Sequence, residues 1–250
     1  MPNTSTVQGS SLSPSAVRGA AGEGVWNLAV DLLSSVQPGR LLEAAAGGGY
    51  LAAQLAERGF QVVGADMVDQ WQFPTIPLVH TDLDEALPFG PNTFDAAILV
   101  EAMGYLENPS HLIREFARVV RPGGTVVITI PNALSLQSRC RFLLNGTYRW
   151  FPHPIYVGWN KEDLADTYRD PLRVTTLVFF LERAGFQIER IAFGGKSTYV
   201  ALLPLAWMLQ ALVGLHNALR KGKHKKTPTY VNSTPALLRT NVGVVARKKE

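Results

Sequence analysis

Cysteine is almost absent from this chain: Cys140 is the one thiol in 250 residues. A single cysteine excludes an intramolecular disulfide and any zinc site built from several thiolates, and it suits a reducing cytoplasm. Charge is also sparse, at 18% of residues against 46% hydrophobic, which excludes a disordered, highly charged chain. The N-terminus has neither a basic start nor a continuous apolar stretch, so no secretory signal is read there and a cytoplasmic location is expected. The apolar run from Tyr199 to Leu215 only reaches the lower limit for spanning a bilayer. The net charge of +4 is concentrated in Arg220, Lys221, Lys223, Lys225 and Lys226. That cluster is too short to imply a nucleic-acid partner; it fits a solvated loop or a contact with anionic lipid.

What the chain does have is a small-residue turn between two apolar segments, Leu41 to Gly59. Leu41 and Leu42 lead into Glu43, six small residues run from Ala44 to Gly49, and Leu51, Leu55 and Ala56 then recur at helical spacing up to Gly59. This reads as strand, tight turn and helix, with Ala45, Gly47 and Gly49 letting a ligand approach the helix N-terminus. A second strand, Gln61 to Ala65, ends in Asp66, which is placed to accept both hydroxyls of a ribose. Two ligands fit this spacing. Gly47-x-Gly49-x-x-Ala52 with Asp66 downstream satisfies a dinucleotide fingerprint, which would make the protein an NAD-dependent oxidoreductase. Glu43 favours a ligand with a positive charge instead, because a carboxylate repels a pyrophosphate.

Three further stretches bear on that choice. Glu43-x-Ala45-x-Gly47-x-Gly49 resembles motif I of the class I S-adenosylmethionine-dependent methyltransferases, with Ala45 in place of that family's first glycine. Leu87-Pro88-Phe89 followed by Phe94-Asp95 resembles the methyltransferase type 11 group, as does Arg121-Pro122-Gly123-Gly124 before an apolar strand, Thr125 to Ile130. A dinucleotide dehydrogenase has no need of the last two. Between them Ala96 to Val100 reads as a strand buried on both faces, and Asn108-Pro109 as the start of a helix burying Leu112, Phe116 and Val119.

The resemblance implies a Rossmann-like α/β fold: a seven-stranded sheet of order 3-2-1-4-5-7-6, its last strand antiparallel, with helices on both faces. It implies S-adenosyl-L-methionine as cofactor and no metal. Glu43 would lie near the cofactor's ammonium, with Ala45, Gly47 and Gly49 forming the turn and Asp66 on the ribose. Asp82, with the apolar Leu83 beside it, would contact the adenine, and Met67 and Val100 would also be cofactor-binding. The acceptor implied is a small molecule or a lipid-linked compound, methylated by direct in-line transfer. A Glu-His pair that many relatives carry after the fourth strand is missing; Gly104 and Tyr105 stand there. Glu101, Tyr105 and His153 are therefore the candidate catalytic residues, and a non-catalytic binding module is a third reading of the chain.

Residues 1–17 are rich in Ser, Thr, Pro and Gly without apolar period and read as a disordered tail. Residues 18–250 read as one methyltransferase domain. An insertion at 132–170 interleaves Arg139, Arg141, Phe142, Tyr148, Trp150 and other aromatics, as a substrate lid does. The segment 199–226 joins an apolar helix to the basic loop. Its stripe Leu202, Leu205, Leu209, Leu212, His216 and Leu219 reads as a buried face. With Trp207 alongside and the basic cluster following, residues 204–226 also fit an in-plane helix in peripheral contact with a membrane. The final strand is expected over Leu237 to Arg247, and nothing in the sequence indicates an oligomeric state.

Overall fold

A computed structural model of the chain describes residues 23–68, 70–148, 171–197, 203–219 and 228–250. The tail 1–17, His153 and the basic cluster Arg220 to Lys226 lie outside the described residues. The elements in chain order are α1 (Glu23–Leu33), β1 (Arg40–Ala44), α2 (Tyr50–Glu57), β2 (Gln61–Asp66), β3 (Leu78–His80), β4 (Phe94–Val100), α3 (Pro109–Val119) and β5 (Val120–Pro131). There follow α4 (Leu136–Asn145), α5 (Val174–Arg183), β6 (Phe186–Ser197), α6 (Leu203–Leu219), a single 3-10 turn (Thr229–Asn232), α7 (Thr234–Leu238) and β7 (Arg239–Lys248).

The strands form one seven-stranded sheet in the order β3-β2-β1-β4-β5-β7-β6. β1 to β5 pair in parallel and β7 is antiparallel to both its neighbours, as the sequence motifs led us to expect. Alternation within the central strands divides the core in two. Leu42, Ala97, Leu99 and Ile128 pack with Leu112 and Phe116 of α3 and with Leu177 and Leu181 of α5. Leu41, Ala96, Ile98 and Val127 pack on the other face with Leu32 of α1 and Leu51 and Leu55 of α2. β4 is apolar from Ala96 to Val100, where both of its faces are covered.

The two motifs that carried the resemblance act as fasteners. Asp95 accepts the Arg40 backbone N–H at 2.7 Å and the Arg121 Nε at 2.6 Å, so it joins the starts of β1 and β5. That Arg121 hydrogen bond, more than any other influence, holds the Asp95 carboxyl below its usual range. Arg121 to Gly124 do not form a turn ahead of the strand, as the sequence suggested; they lie within β5 as a bulge, where Phe94 pairs with Val120 and Ala96 with Thr125. Gly124 is required there: a Cβ would sit 2.7 Å from the Asp95 carbonyl oxygen. The Leu87-Pro88-Phe89 loop is fastened similarly. Glu115 accepts the Leu87 N–H at 2.8 Å, and Arg118 donates to the carbonyls of Phe89 at 2.6 Å and Leu87 at 2.8 Å.

Two expectations near the C-terminus change. Leu237 and Leu238 belong to α7, so the last strand begins at Arg239. The Leu stripe of α6 is not a buried face: Leu205, Leu212 and Leu219 are exposed, and the helix instead packs through Leu203, Ala206 and Leu209 against Leu136, Leu237 and Leu238. The first pattern read Leu spacing without knowing which side the small residue Ala206 would let approach α7. Among the described residues no helix is long and apolar enough to cross a membrane.

Asn132, buried at the end of β5, holds this region to the sheet. Its Nδ2 donates to the carbonyls of Ala236 at 2.7 Å and Arg239 at 2.8 Å, and its Oδ1 accepts the Leu134 N–H at 3.0 Å. Asn132→Ala leaves two carbonyls and an N–H without this partner. It is expected to cost about 2–4 kcal/mol of stability in urea denaturation; a loss below about 0.5 kcal/mol would show that α7 is held by its apolar contacts alone.

Candidate active site

The turn after β1 uses three left-handed residues within five positions: Ala45 at φ 56°, Gly47 at φ 53° and Gly49 at φ 82°. The backbone there is closed by Ala46 N–H donating to Ala65 O at 3.3 Å and Gly49 N–H to Ala46 O at 2.9 Å. Ala45 therefore adopts a conformation that favours glycine, which is the residue motif I usually has at this place. Gly47 faces open space, with nothing within 4 Å of where a Cβ would be. Gly49 caps α2 and is covered from outside, since a Cβ would meet the Trp71 ring at 2.7 Å. The indole is fixed by its Nε1, which donates to Phe73 O at 2.9 Å and Ile76 O at 3.0 Å. Gln72 N–H donates to Gly48 O at 3.2 Å, so the segment after β2 is tied directly to the glycine turn.

Two acids sit on neighbouring strands at this turn. Asp66, at the tip of β2, accepts the Gly47 N–H on Oδ2 at 2.7 Å and the Val68 N–H on Oδ1 at 2.9 Å. Each oxygen keeps acceptor capacity for a further donor. Glu43 lies in β1 opposite Gly64 and Ile98, buried, with its Oε2 lacking any hydrogen-bond partner. Burial pushes its pKa up to about 8; the Ala52 N–H opposes the shift, and the charge of Asp66 adds to it. A buried carboxyl with an idle oxygen is matched by a cationic ligand, which would let it ionise.

Beyond Asp66, Met67 and Val68 are 68% and 44% exposed and present apolar surface beside the carboxylate. Asp82 follows β3 and accepts the Asp84 N–H at 2.9 Å, the local turn of a short polar side chain; Leu83 next to it is buried in the core. Val100 ends β4 and is half-buried against the α1 and α2 side. Asp84, which no motif singled out, accepts the N–H groups of Glu107 and Asn108 at 2.9 and 2.8 Å. It couples the Asp82 loop to the loop after β4.

That second loop opens on Glu101, again left-handed at φ 57°. Its N–H donates to Thr129 O at 3.0 Å and Thr129 Oγ1 at 3.2 Å, and its Oε2 accepts Asn241 Nδ2 at 2.8 Å. Neighbouring strands β5 and β7 thus hold a non-glycine residue in a strained conformation, a pattern concentrated at functional sites. Burial raises the Glu101 pKa to about 7, against the Thr129 and Asn241 hydrogen bonds that lower it. Asn241, distant in sequence, carried no signal that could have paired it with Glu101. Tyr105 is 36% exposed on the same loop. Of the insertion, residues 132–148 are described. There Arg139 is a clamp, donating to Leu134 O at 2.7 Å, Asn232 Oδ1 at 2.8 Å and Val231 O at 3.0 Å, while Phe142 stacks on Tyr148 with centroids 4.8 Å apart.

Strand order, the acid on β1, the glycine turn and the acid on β2 together give an architecture shared with the class I S-adenosylmethionine-dependent methyltransferases. Residues 42–128 match the model of the family described as "Methyltransferase domain". The chain is 35% identical over 109 residues to a demethylmenaquinone methyltransferase of Corynebacterium kroppenstedtii, spanning 42% of this chain and 47% of that relative. It is 30% identical over 113 residues to a ubiquinone biosynthesis O-methyltransferase of Dechloromonas aromatica, spanning 41% and 49% respectively. The chain thus matches about half the length of these relatives. Among solved structures, an S-adenosylmethionine-dependent methyltransferase from Mesorhizobium loti shares the fold, with a TM-score of 0.55 at 16% identity over 89% of this chain and 97% of that one. Haemonchus contortus phosphoethanolamine N-methyltransferase 2 does so with a TM-score of 0.52 at 15% identity, over 90% and 53%.

Because Ala45 holds a positive φ, Ala45→Gly should relieve strain of about 1–2 kcal/mol while adding about 0.4–1 kcal/mol of unfolded-state entropy. A net gain of about 0.5–1 kcal/mol is expected, read as a rise of a few degrees in melting temperature. A fall would mean that the Ala45 methyl makes a packing contact worth more than the strain.

Proposed function

We propose that this protein transfers a methyl group from S-adenosyl-L-methionine to a small-molecule or lipid-linked acceptor. The observation that carries this reading is the pair of acids on adjacent strands around an open glycine turn, one of them buried with an idle oxygen. Glu43 suits the ammonium of the cofactor, the turn at Ala45, Gly47 and Gly49 suits its backbone approach, and Asp66 suits the ribose hydroxyls. Met67 offers apolar surface to the adenine, Asp82 an acceptor for its amino group, and Val100 a wall, with Leu83 packed in the core behind the Asp82 loop. A nicotinamide dinucleotide suits the site poorly, because its pyrophosphate would meet the buried Glu43.

When bound, S-adenosylmethionine supplies a methyl group already made electrophilic by its sulfonium. The chain then has mainly to orient an acceptor and, where the acceptor is acidic, to remove its proton. Glu101 is our assignment for that proton: it stands at the end of β4, on a loop also carrying Tyr105, with a pKa brought to about 7. His153 is a second candidate on the acceptor side, and we assign residues 132–170 as the acceptor-side lid of one domain running over 18–250. The names of the relatives favour a quinone-type ring as acceptor.

Calorimetric titration of the full chain with S-adenosylmethionine, S-adenosylhomocysteine and NAD side by side tests the reading. Saturable binding of the first two without NAD is expected, and Asp66→Ala should weaken it roughly 100-fold by removing charge-assisted bonds. Binding of NAD alone would instead establish the oxidoreductase reading, and near-normal affinity in the variant would show the site assignment to be wrong. For Glu101, activity on a hydroxylated quinone-type ring should rise as pH passes through about 7, where the base ionises. Glu101→Gln should abolish that limb; an unchanged profile would remove Glu101 from the mechanism.

A further inference from the structure

α6 contains no Asp, Glu, Lys or Arg, and one face of it is bare. Leu205, Met208, Leu212, Leu215 and Leu219, spaced by alternating threes and fours, are 37%, 54%, 56%, 59% and 76% exposed. They lie on the side away from Leu203, Ala206 and Leu209, through which the helix is packed. α4 joins the same apolar cluster through Leu136, and its last turn leaves Leu143 and Leu144 85% and 84% exposed, beside a half-exposed Phe142. Single exposed leucines are ordinary on a soluble surface; two helices meeting in one cluster, each with a run of them, are not.

The occupant follows from charge. From Glu189 the sequence has no further Asp or Glu until Glu250, and none between Pro131 and Glu162. α4, α6 and α7 all derive from these acid-free stretches, and Arg220, Lys221, Lys223, Lys225 and Lys226 follow α6 directly in sequence. A second copy of the chain would bring like charge to the contact and no acid to pair with it. A lipid surface of negative charge complements both properties.

We propose that the faces of α4 and α6 dock this protein on an anionic phospholipid bilayer, α6 lying in the plane of the interface. β5 ends into α4, β6 ends toward α6, and β7 begins after α7, so these helices belong to the edge of the sheet where β4 ends in Glu101. Docking there brings the acceptor side of the site toward the bilayer. The source of acceptor this offers, a hydrophobic molecule dissolved in the membrane, rests on the methyl-transfer reading; the docking itself does not.

Cosedimentation of the full chain with vesicles of phosphatidylcholine and phosphatidylglycerol, and with phosphatidylcholine alone, tests it. The chain should pellet with the anionic vesicles, and release in about 1 M salt, where the Debye length falls to about 3 Å, is expected. Leu212→Glu with Leu215→Glu should lower the bound fraction at least about tenfold, and Leu143→Glu, on the other helix, should lower it independently. Calorimetric titration with S-adenosylmethionine, run on the same variants, separates loss of docking from loss of fold or of the cofactor site. Parent protein left in the supernatant, variants that pellet like the parent, or a dimer in sedimentation equilibrium that the variants dissolve would each overturn the proposal.

Discussion

The hydrogen bond from the Gly47 N–H to Asp66 is the contact on which the site depends. It joins the turn after β1 to the tip of β2, and it forms only if those strands are parallel and in register, Ala44 against Ala65. Parallel pairing with a helical crossover places both strand ends at the same edge. Once that edge exists, Glu43 and Asp66 are unavoidable neighbours. The cost is visible in Glu43, whose burial beside another acid keeps it protonated to about pH 8. By linkage, the folded chain binds this proton where the unfolded chain has released it, so the contribution of Glu43 to stability declines as pH rises from about 4.5 to about 8. A cation bound beside Glu43 would favour its ionised form and offset that penalty.

Recognition and chemistry reside at opposite edges of the sheet. Phe94-Asp95 and Arg121 to Gly124, the stretches by which the family is most easily read, lie where β1, β4 and β5 begin. Asp95 and Arg121 fix the stagger of those three strands, and the Arg118–Glu115 pair fixes the loop that enters β4. These residues fasten the starts of the strands, at the edge opposite the glycine turn. Glu101 takes its strained backbone from that placement, since Thr129 and Asn241 reach it only if β5 and β7 are correctly registered.

This division explains how far the sequence could be read. The turn, Glu43 and Asp66 follow from local patterns, apolar runs bounded by glycine and acids at strand tips, whereas the strand order came from the family resemblance. The bulge in β5 was missed because Arg-Pro-Gly-Gly has the composition of a turn, and only the register with Phe94 shows that pairing resumes on both sides. Asp84 and Asn241 were missed because each acts across a long sequence separation on a partner with no complementary motif. Arg139, read only as one of the arginines interleaved with aromatics in the insertion, donates among the described residues to two carbonyls and an amide oxygen of its own chain. An arginine among aromatics gives no sign, in sequence, of which groups its guanidinium will satisfy.

α6 shows the same limit from the other side. Its leucines are spaced so that either of two stripes could face inward, and hydrophobicity alone favours neither. Ala206 decides between them, because its small side chain allows the helix to approach Leu237 and Leu238 closely. With that contact fixed, the larger residues are turned outward from a segment that itself contains no Asp or Glu. A surface facing only water is served better by polar residues at Leu212 and Leu215, which belong to none of the core clusters of the described residues. Leucine at these positions is what the membrane docking proposed above requires.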